Sequence, residues 1–273
     1  MTDAPSLPQT MPGRALPRRR LASARAIGAL ILREMSSSYG RSPGAYVWAI
    51  LEPVAGIALL SLVFSAAFHN PPIGISFPVF YATGMMPFLV FSDVQSKVAT
   101  SLLYSKQLLA YPTVTYVDAI VARFLLNMMT QLLVSYFVLA GSLLLFEDRT
   151  LPNLPVIVEA FAMTALLSLG IGVLNCFLFS WFPLYQRAWS IVMRPMFIIS
   201  GTMILFEAIP APYGDWLWWN PLVHIIGLTR RGFYETYDAP YVSVTYLALV
   251  SLICLVLGMV FLRRYYREFL NNT

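Results

Sequence analysis

The sequence predicts an all-α polytopic membrane protein. Hydrophobic residues make up 58% of its 273 residues and charged residues only 11%, against roughly 25% charged residues in a soluble domain. The apolar residues gather in runs long enough to cross about 30 Å of hydrocarbon as helices. The net charge of +5 comes from basic residues between these runs, not from a basic stripe that would bind nucleic acid. Composition therefore excludes a soluble globular protein and predicts no nucleic-acid partner.

The N-terminal part is predicted to stay outside the bilayer. Residues 1–22 are rich in proline and arginine and are expected to form a disordered cytoplasmic tail. Residues 23–41 are expected to form an amphipathic interfacial helix that lies along the headgroups, with Arg33 on its polar side. Its apolar positions at helical spacing are Ile27, Leu30, Ile31 and Met35. A helix packed beneath the bundle is the alternative interpretation.

Residues 42–273 are predicted to form the transmembrane domain, with six spans. The spans cover about residues 46–68, 77–98, 117–146, 156–182, 189–206 and 242–262. An even number of spans places both termini on the same side. If that side is the cytoplasm, only Arg149, Arg230 and Arg231 of the basic residues fall outside, as the positive-inside rule requires.

The segment between the fifth and sixth spans is too apolar to lie in water. It contains Trp216, Trp218 and Trp219, followed by the run PLVHII at residues 221–226. We predict that it folds back into the outer half of the membrane as short re-entrant helices covered by protein. An aromatic belt at the membrane interface is the alternative.

The cytoplasmic loop after the second span is predicted to contain a short amphipathic helix over residues 100–109. Exposed apolar side chains on such a loop indicate a protein partner. The residues assigned to this surface are Leu102, Leu103, Tyr104, Lys106, Leu108 and Tyr111. The alternative is that the segment only extends the second span by two turns.

Motifs for catalysis and for nucleotide binding are missing from the sequence. It contains no G-x-x-x-x-G-K-[ST] loop to hold ATP phosphates, no G-x-S-x-G and no H-E-x-x-H. Cys176 and Cys254 lie within apolar runs without a neighbouring ligand at metal-binding spacing. We therefore expect no catalytic residues, metal site or cofactor in this chain. If ATP drives its function, ATP and magnesium are expected to bind to a separate ATPase subunit.

Four stretches resemble one transporter family. They are GAYVWAILEP at residues 44–53, ISFPVF at residues 75–80, the Tyr111-Pro112 pair followed by Asp118 and Arg123, and WNPLVH at residues 219–224. In this order they are similar to the permease subunit of ABC-2 type (type V) exporters of capsular polysaccharide, found in Gram-negative bacteria with group 2 capsules. One departure is Gly227, where the family commonly has glutamate. A role for that glutamate cannot be transferred, and Arg230 and Arg231 could replace a charge pair or mark a helix end.

The resemblance implies a multi-pass protein of the bacterial inner membrane, with both termini cytoplasmic. Two copies would form an export path along their first and fifth spans, with two ATP-binding ABC subunits docked beneath them. The implied substrate is a polysaccharide, expected to be lipid-linked, and periplasmic or outer-membrane export proteins are implied further partners. The gate and channel candidates are Tyr46, Trp48, Glu52, Phe64 and Phe197. Glu52 is expected to pair with a basic residue such as Arg41. The external motif comprises Trp219, Asn220, Pro221, His224, Arg230 and Arg231.

Other functions stay open at the level of the sequence. Within the same superfamily, the substrate could be a lipid-linked O-antigen, a teichoic acid chain or a drug. From a different class, the chain could be a membrane glycosyl- or acyltransferase, for which His224 and Asp215 are the candidate pair. A purely structural membrane scaffold is a third reading.

Overall fold

The computed structural model describes residues 20–38, 44–109, 114–146 and 151–271, and the regular elements within these ranges are helices. The longer helices are α1 (Arg20–Ser38), α2 (Ala45–Ala67), α3 (Phe77–Ala99), α4 (Ser101–Leu109), α5 (Tyr116–Leu145), α6 (Leu154–Trp181), α7 (Pro183–Phe197), α8 (Tyr213–Leu217), α9 (Pro221–Phe233) and α10 (Val244–Asn271). The predicted tail at residues 1–22 lies outside the described residues, except for its last three residues, which begin α1.

Five described segments are long and apolar enough to cross a membrane. They cover residues 47–67, 77–106, 116–145, 154–181 and 244–266. Each overlaps a predicted span, and most of the helix ends lie within one or two residues of the predicted ones. The prediction of an all-α polytopic membrane protein is therefore confirmed.

The predicted fifth span has a different form. The helix in this region differs from the predicted bounds of 189–206, because Pro183 begins α7 directly after Phe182, the C-cap residue of α6. Proline is favoured in the first turn of a helix, where its missing N–H has no partner to lose. At its other end α7 passes into a π-helical turn, Ile198–Thr202, that contains Gly201 at φ 85°. This left-handed conformation suits glycine, and it breaks the helix. With α7 only 15 residues long, the count of six spans stays a prediction.

The centre of the bundle is α6, which packs against α10, α3 and α9. The contact between α6 and α10 is close, since a Cβ on Gly258 would lie 2.6 Å from the backbone nitrogen of Leu174. Small residues permit such close contacts between helices in membranes, where dispersion forces hold helices together. α2 and α7 lie at the periphery and bury little of their surface.

The apolar segment before the last span forms a 3-10 turn (Phe206–Ala208), the short helix α8, and α9. Nearly every residue of α9 is buried, and the helix packs against α3, α6 and α10. Its depth in a membrane stays a prediction. Its burial within protein agrees with the expectation that such a segment must be covered.

Candidate functional site

Three helices at one end of the bundle meet around the guanidinium group of Arg123 in α5. Its Nε donates a hydrogen bond to Oε1 of Glu34 in α1 at 3.0 Å, and its Nη1 donates to Oγ1 of Thr100 at 3.3 Å. The guanidinium lies over the Tyr104 ring of α4, with 4.4 Å between Cζ and the ring centroid. Nδ2 of Asn127 donates to the same Glu34 oxygen at 3.5 Å. We call these five residues the Arg123 cluster, and it joins α1, α4 and α5.

The ion pair at the centre of this cluster is almost closed to solvent. The side chains of Arg123 and Glu34 are 7% and 5% exposed. When one partner of a buried pair is removed, an uncompensated charge remains in a medium that solvates it poorly. The contact that holds α1 against α5 therefore depends on both charges.

A second polar contact joins the start of α1 to the start of α5. The hydroxyl of Ser23 donates to Oδ1 of Asp118. The other oxygen of Asp118 accepts a hydrogen bond from the backbone N–H of Thr115 at 3.0 Å, as part of a capping box that begins α5. The predicted interfacial helix is thus held along its length by α5, which fits the alternative of a helix packed beneath the bundle.

The residues predicted for the apolar face of the interfacial helix divide between two environments. Ile27, Leu30 and Ile31 are partly buried, whereas Met35 is 38% exposed. The guanidinium of Arg33 lies 5.8 Å from the centroid of the Tyr104 ring. α1 therefore contacts α4 through Arg33 as well as through the Arg123 cluster.

The predicted docking helix is α4, and it follows α3 after the single residue Thr100. The Tyr104 N–H donates to the Thr100 carbonyl at 3.0 Å across this joint, so the alternative of an extended second span describes the backbone well. Leu102 is buried at 1% exposure and holds α4 to the core, while Leu103 and Tyr104 are each 41% exposed. An apolar and aromatic surface thus lies directly over Arg123.

The remaining residues of this predicted surface are Lys106, Leu108 and Tyr111. Lys106 is partly exposed on α4. The side chain of Leu108 and the whole of Tyr111 lie outside the described residues.

The gate and channel candidates do not meet at one point in this chain. On α2, Trp48 is 63% exposed and Glu52 is exposed, while Phe64 packs against Tyr81 of α3 with 5.4 Å between ring centroids. Phe197 of α7 packs edge-on against Phe88 of α3 at 5.1 Å. α2 and α7 therefore both pack against α3, at different positions along it.

Two residues of the channel prediction lie wholly or partly outside the described residues. They are Tyr46, whose side chain is not described, and Arg41, the expected partner of Glu52. In the described part of the chain, the charge on Glu52 acts on Asp93 of α3, whose Oδ2 accepts a hydrogen bond from Gln131 of α5 at 2.5 Å.

The Asn-Pro-x-x-His motif builds the start of α9. The Asn220 side chain caps the helix by accepting the Leu222 N–H at 3.1 Å, and its Nδ2 donates to Oγ of Ser200 at 3.0 Å. Pro221 occupies the first turn of the helix. Asn220 therefore connects the start of α9 to the broken end of the α7 segment. Trp219 is 67% exposed beside this cap.

His224 connects three parts of the segment between α7 and α10 through its two ring nitrogens. Nε2 lies 2.8 Å from the Trp218 carbonyl, and Nδ1 accepts the Ser243 N–H at 3.1 Å. The neutral ring with hydrogen on Nε2 satisfies both contacts, and burial lowers the pKa of His224. Since both nitrogens hold backbone groups, His224 is not free to act as a catalytic base with Asp215, which disfavours the transferase reading.

Arg230 lies beside the broken end of the α7 segment. It is 1% exposed, and its guanidinium donates to the carbonyl oxygens of Gly201 at 2.7 Å and Thr202 at 2.9 Å. It also lies over the Phe80 ring at 4.3 Å. The two arginines therefore have different environments. Arg230 caps the carbonyls of a broken helix, while Arg231 is exposed.

The departure from the family at Gly227 has a steric counterpart. A Cβ at this position would lie 2.4 Å from the hydroxyl oxygen of Tyr241. That hydroxyl lies 3.1 Å from the hydroxyl of Tyr237, which donates to Glu207 at 3.0 Å. Tyr241 therefore packs where a side chain at position 227 would begin, and glutamate could not replace glycine without moving it.

Sequence reasoning missed two members of the Arg123 cluster, Glu34 and Asn127. Glu34 is a charged residue in the predicted amphipathic helix, and Asn127 is an amide one turn after Arg123 in an apolar span. These positions are the signals from which both residues could have been found. In the described part of the chain, no group of three or more His, Cys, Asp or Glu side chains could hold a metal ion.

Comparison with known proteins identifies the family. The model of the ABC-2 type transporter family matches residues 25–234. The polysialic acid transport protein KpsM of Escherichia coli is 32% identical over 237 residues, which cover 87% of this chain and 92% of KpsM. The capsule polysaccharide export inner-membrane proteins CtrC of Neisseria meningitidis serogroup A and BexB of Haemophilus influenzae are 22% and 21% identical, each over 88% of this chain and 91% of their own length. The chain therefore belongs to the ABC-2 type transporter family.

Proposed function

We propose that this chain is the membrane permease of an ATP-driven exporter that moves capsular or related cell-surface polysaccharide across the inner membrane. The names of its relatives support this, since KpsM is a polysialic acid transport protein and CtrC and BexB are capsule polysaccharide export proteins of the inner membrane. The proposal includes both termini on the cytoplasmic side. Under that orientation, the Arg123 cluster and α4 face the cytoplasm.

The observation that carries the proposal is the exposed face of α4 above the Arg123 cluster. The chain lacks a phosphate-binding loop, so the work of transport has to come from another subunit. We assign ATP and magnesium to two separate ATP-binding subunits, one beneath each permease. Leu103 and Tyr104 are the residues on which such a subunit would dock, because both are exposed on a helix that Leu102 fixes to the core.

The Arg123 cluster offers a direct route from that docking face to the interfacial helix. A displacement of Tyr104 moves the guanidinium stacked on its ring, and Arg123 in turn holds Glu34 of α1. Closure of the ATPase dimer on ATP would thus shift α4 and α1 together. Such a shift is a rigid-body movement of packed elements that selects between closed and open arrangements of the bundle.

A second copy of the chain completes the export path in this proposal. α2 and α7 leave most of their surfaces uncovered, so either helix is able to pack against a second protomer or line a lumen. Trp48, Glu52, Phe64 and Phe197 stay the channel candidates. The substrate is assigned as a lipid-linked polysaccharide, handed on to periplasmic or outer-membrane export proteins.

Export and coupling are tested together in a strain that lacks the gene. We expect polysaccharide to accumulate inside these cells, and the wild-type gene to restore surface polysaccharide. A Tyr104→Ala, Leu103→Ala double variant should reach the membrane but restore neither export nor co-purification of the ATPase. Restoration of both by that variant, or the absence of intracellular polysaccharide in the deletion strain, would refute the proposal.

A further inference from the structure

A cleft between α3, α6 and α7 combines features of a binding site for a charged sugar. It encloses about 370 Å³, within the range of about 300–1,000 Å³ typical of ligand sites. One wall is α7, the segment that replaces the predicted fifth span. The cleft extends toward the end of the bundle at which α3 and α6 finish and α7 begins. Because α4 directly follows α3, the docking face lies at this same end.

The lining of the cleft is rich in groups that can hydrogen-bond to a ligand. Ser92 and Ser96 of α3 and Gln186 of α7 contribute hydroxyl and amide groups. In the described part of the chain, the side chains of these three residues have no hydrogen-bond partner. Gln95 differs, since its Oε1 accepts a hydrogen bond from Asn175 at 3.3 Å, and this contact fixes the floor of the cleft.

Trp189 adds an independent sign of a missing ligand. Its indole Nε1 is closed to solvent and has no hydrogen-bond partner among the described residues. A buried N–H without an acceptor is destabilising. Trp189 lines the cleft, and a rotation of its side chain that brings Nε1 to an acceptor bound there would restore the bond, while its ring offers an apolar face for a sugar.

The charge of the lining decides the class of ligand. Arg194 is the one ionisable side chain among the lining residues, and it has no ion-pair partner in the described ranges. Guanidinium groups bind carboxylate and phosphate oxygens through two parallel hydrogen bonds. Arg194 is exposed, so water solvates its charge when the cleft is empty, and an anionic ligand gains a charge-assisted contact that a neutral sugar lacks.

We propose that the cleft is a binding subsite for an anionic sugar unit, in which Arg194 binds the carboxylate or phosphate, Trp189 donates to a sugar oxygen, and Gln186 and the two serines bind hydroxyl groups. This inference rests on the proposed export function and adds the place in the protomer at which an acidic sugar unit binds and the residues that bind it. From its position beside the docking face, the subsite receives the chain before translocation.

Binding can be measured with the permease and its ATPase together in nanodiscs, by anisotropy of fluorescently labelled trigalacturonate, with labelled maltotriose as the neutral probe. We expect the wild type to bind trigalacturonate at least tenfold more tightly than maltotriose, because Arg194 makes a charge-assisted bidentate contact with a carboxylate and has no such contact with maltotriose. Raising the sodium chloride concentration should weaken binding of the acidic probe and leave binding of the neutral probe unchanged. Equal affinity for the two probes, or no binding of either, overturns the proposal.

Three variants and a control separate binding from folding. Arg194→Gln should lose about tenfold in affinity for trigalacturonate, and Arg194→Lys should recover part of it. Arg187→Gln removes a positive charge from the same helix outside the cleft lining and should bind as the wild type does. Trp189→Phe keeps an aromatic ring but removes the N–H, and it should weaken binding of both probes to the same extent.

The same variants tested for export distinguish this inference from the function beneath it. If the wild-type gene fails to restore export, the proposed function fails whatever Arg194→Gln does. If the wild type restores export while Arg194→Gln binds trigalacturonate and exports normally, only the assignment of the cleft fails.

Discussion

Replacing Arg123 with glutamine removes the positive partner of Glu34 and the cation over Tyr104 in one step. The carboxylate of Glu34 would lose its ion-pair partner and the hydrogen bond from Nε of Arg123, in a site where its side chain is 5% exposed. Loss of one partner from a buried ion pair costs about 3–5 kcal/mol. We therefore expect the contact between α1 and α5 to weaken by about 3 kcal/mol or more, which is at least a hundredfold in its equilibrium constant.

The size of this effect depends on the charge left behind. In an Arg123→Gln, Glu34→Gln double variant no buried charge remains unpaired, and the cost should fall below about 2 kcal/mol. The double-mutant cycle should give a coupling energy between the two residues at or above the top of the usual range for contacting groups, about 0.5–3 kcal/mol. Arg187→Gln is the matched control, since it removes an exposed arginine outside the Arg123 cluster.

Two measurements report the result. Unfolding of the purified permease by a graded addition of sodium dodecyl sulphate gives the stability difference. In the reconstituted complex, Arg123→Gln should keep most ATP hydrolysis but export at least tenfold less polysaccharide per ATP, and the double variant should recover part of this loss. If single and double variants behave alike, or if Arg123→Gln exports normally, the reasoning about the Arg123 cluster is wrong.

Three other predictions concern the segment between α7 and α10 and the packing of the bundle. Arg230→Met leaves the Gly201 and Thr202 carbonyls without donors, and at about 1–3 kcal/mol each should destabilise the protein in detergent unfolding, while Arg231→Met should not. Because burial lowers the pKa of His224, its contribution to stability is present above pH 6.5 and is lost as pH falls. Melting temperature should therefore drop between pH 7.5 and 5 in the wild type and less so in His224→Gln. Gly258→Leu should separate α6 from α10 and lower the folded yield, whereas Gly141→Leu, with open space around its Cα, should express normally.

The fold class and most helix ends could be predicted because they depend on local properties of the chain. Apolar runs of sufficient length define α2, α3, α5, α6 and α10, and the segment expected to be amphipathic became α1. The fifth segment was misplaced because its ends depend on backbone geometry. A hydropathy profile does not show that Pro183 starts a helix immediately after α6, nor that Gly201 adopts φ 85°.

The contacts of the candidate sites were harder to predict, because their members are far apart in the sequence. Glu34 and Arg123 are 89 positions apart, and Arg230 is 29 positions from Gly201, whose carbonyl it caps. Sequence spacing identified Tyr104 and Leu103 as a docking surface, and both are exposed. It placed Leu102 on the same surface, although the helical turn directs that side chain into the core.

The central claim is that this permease has no motor of its own and takes its work from a separate ATPase through α4. The most direct test is ATP hydrolysis by the purified permease in nanodiscs, alone and after addition of its ATPase subunit. The account predicts no hydrolysis by the permease alone, and hydrolysis by the complex that rises with added polysaccharide in the wild type but not in Tyr104→Ala. Hydrolysis by the permease alone, or the same stimulation in Tyr104→Ala, would contradict it.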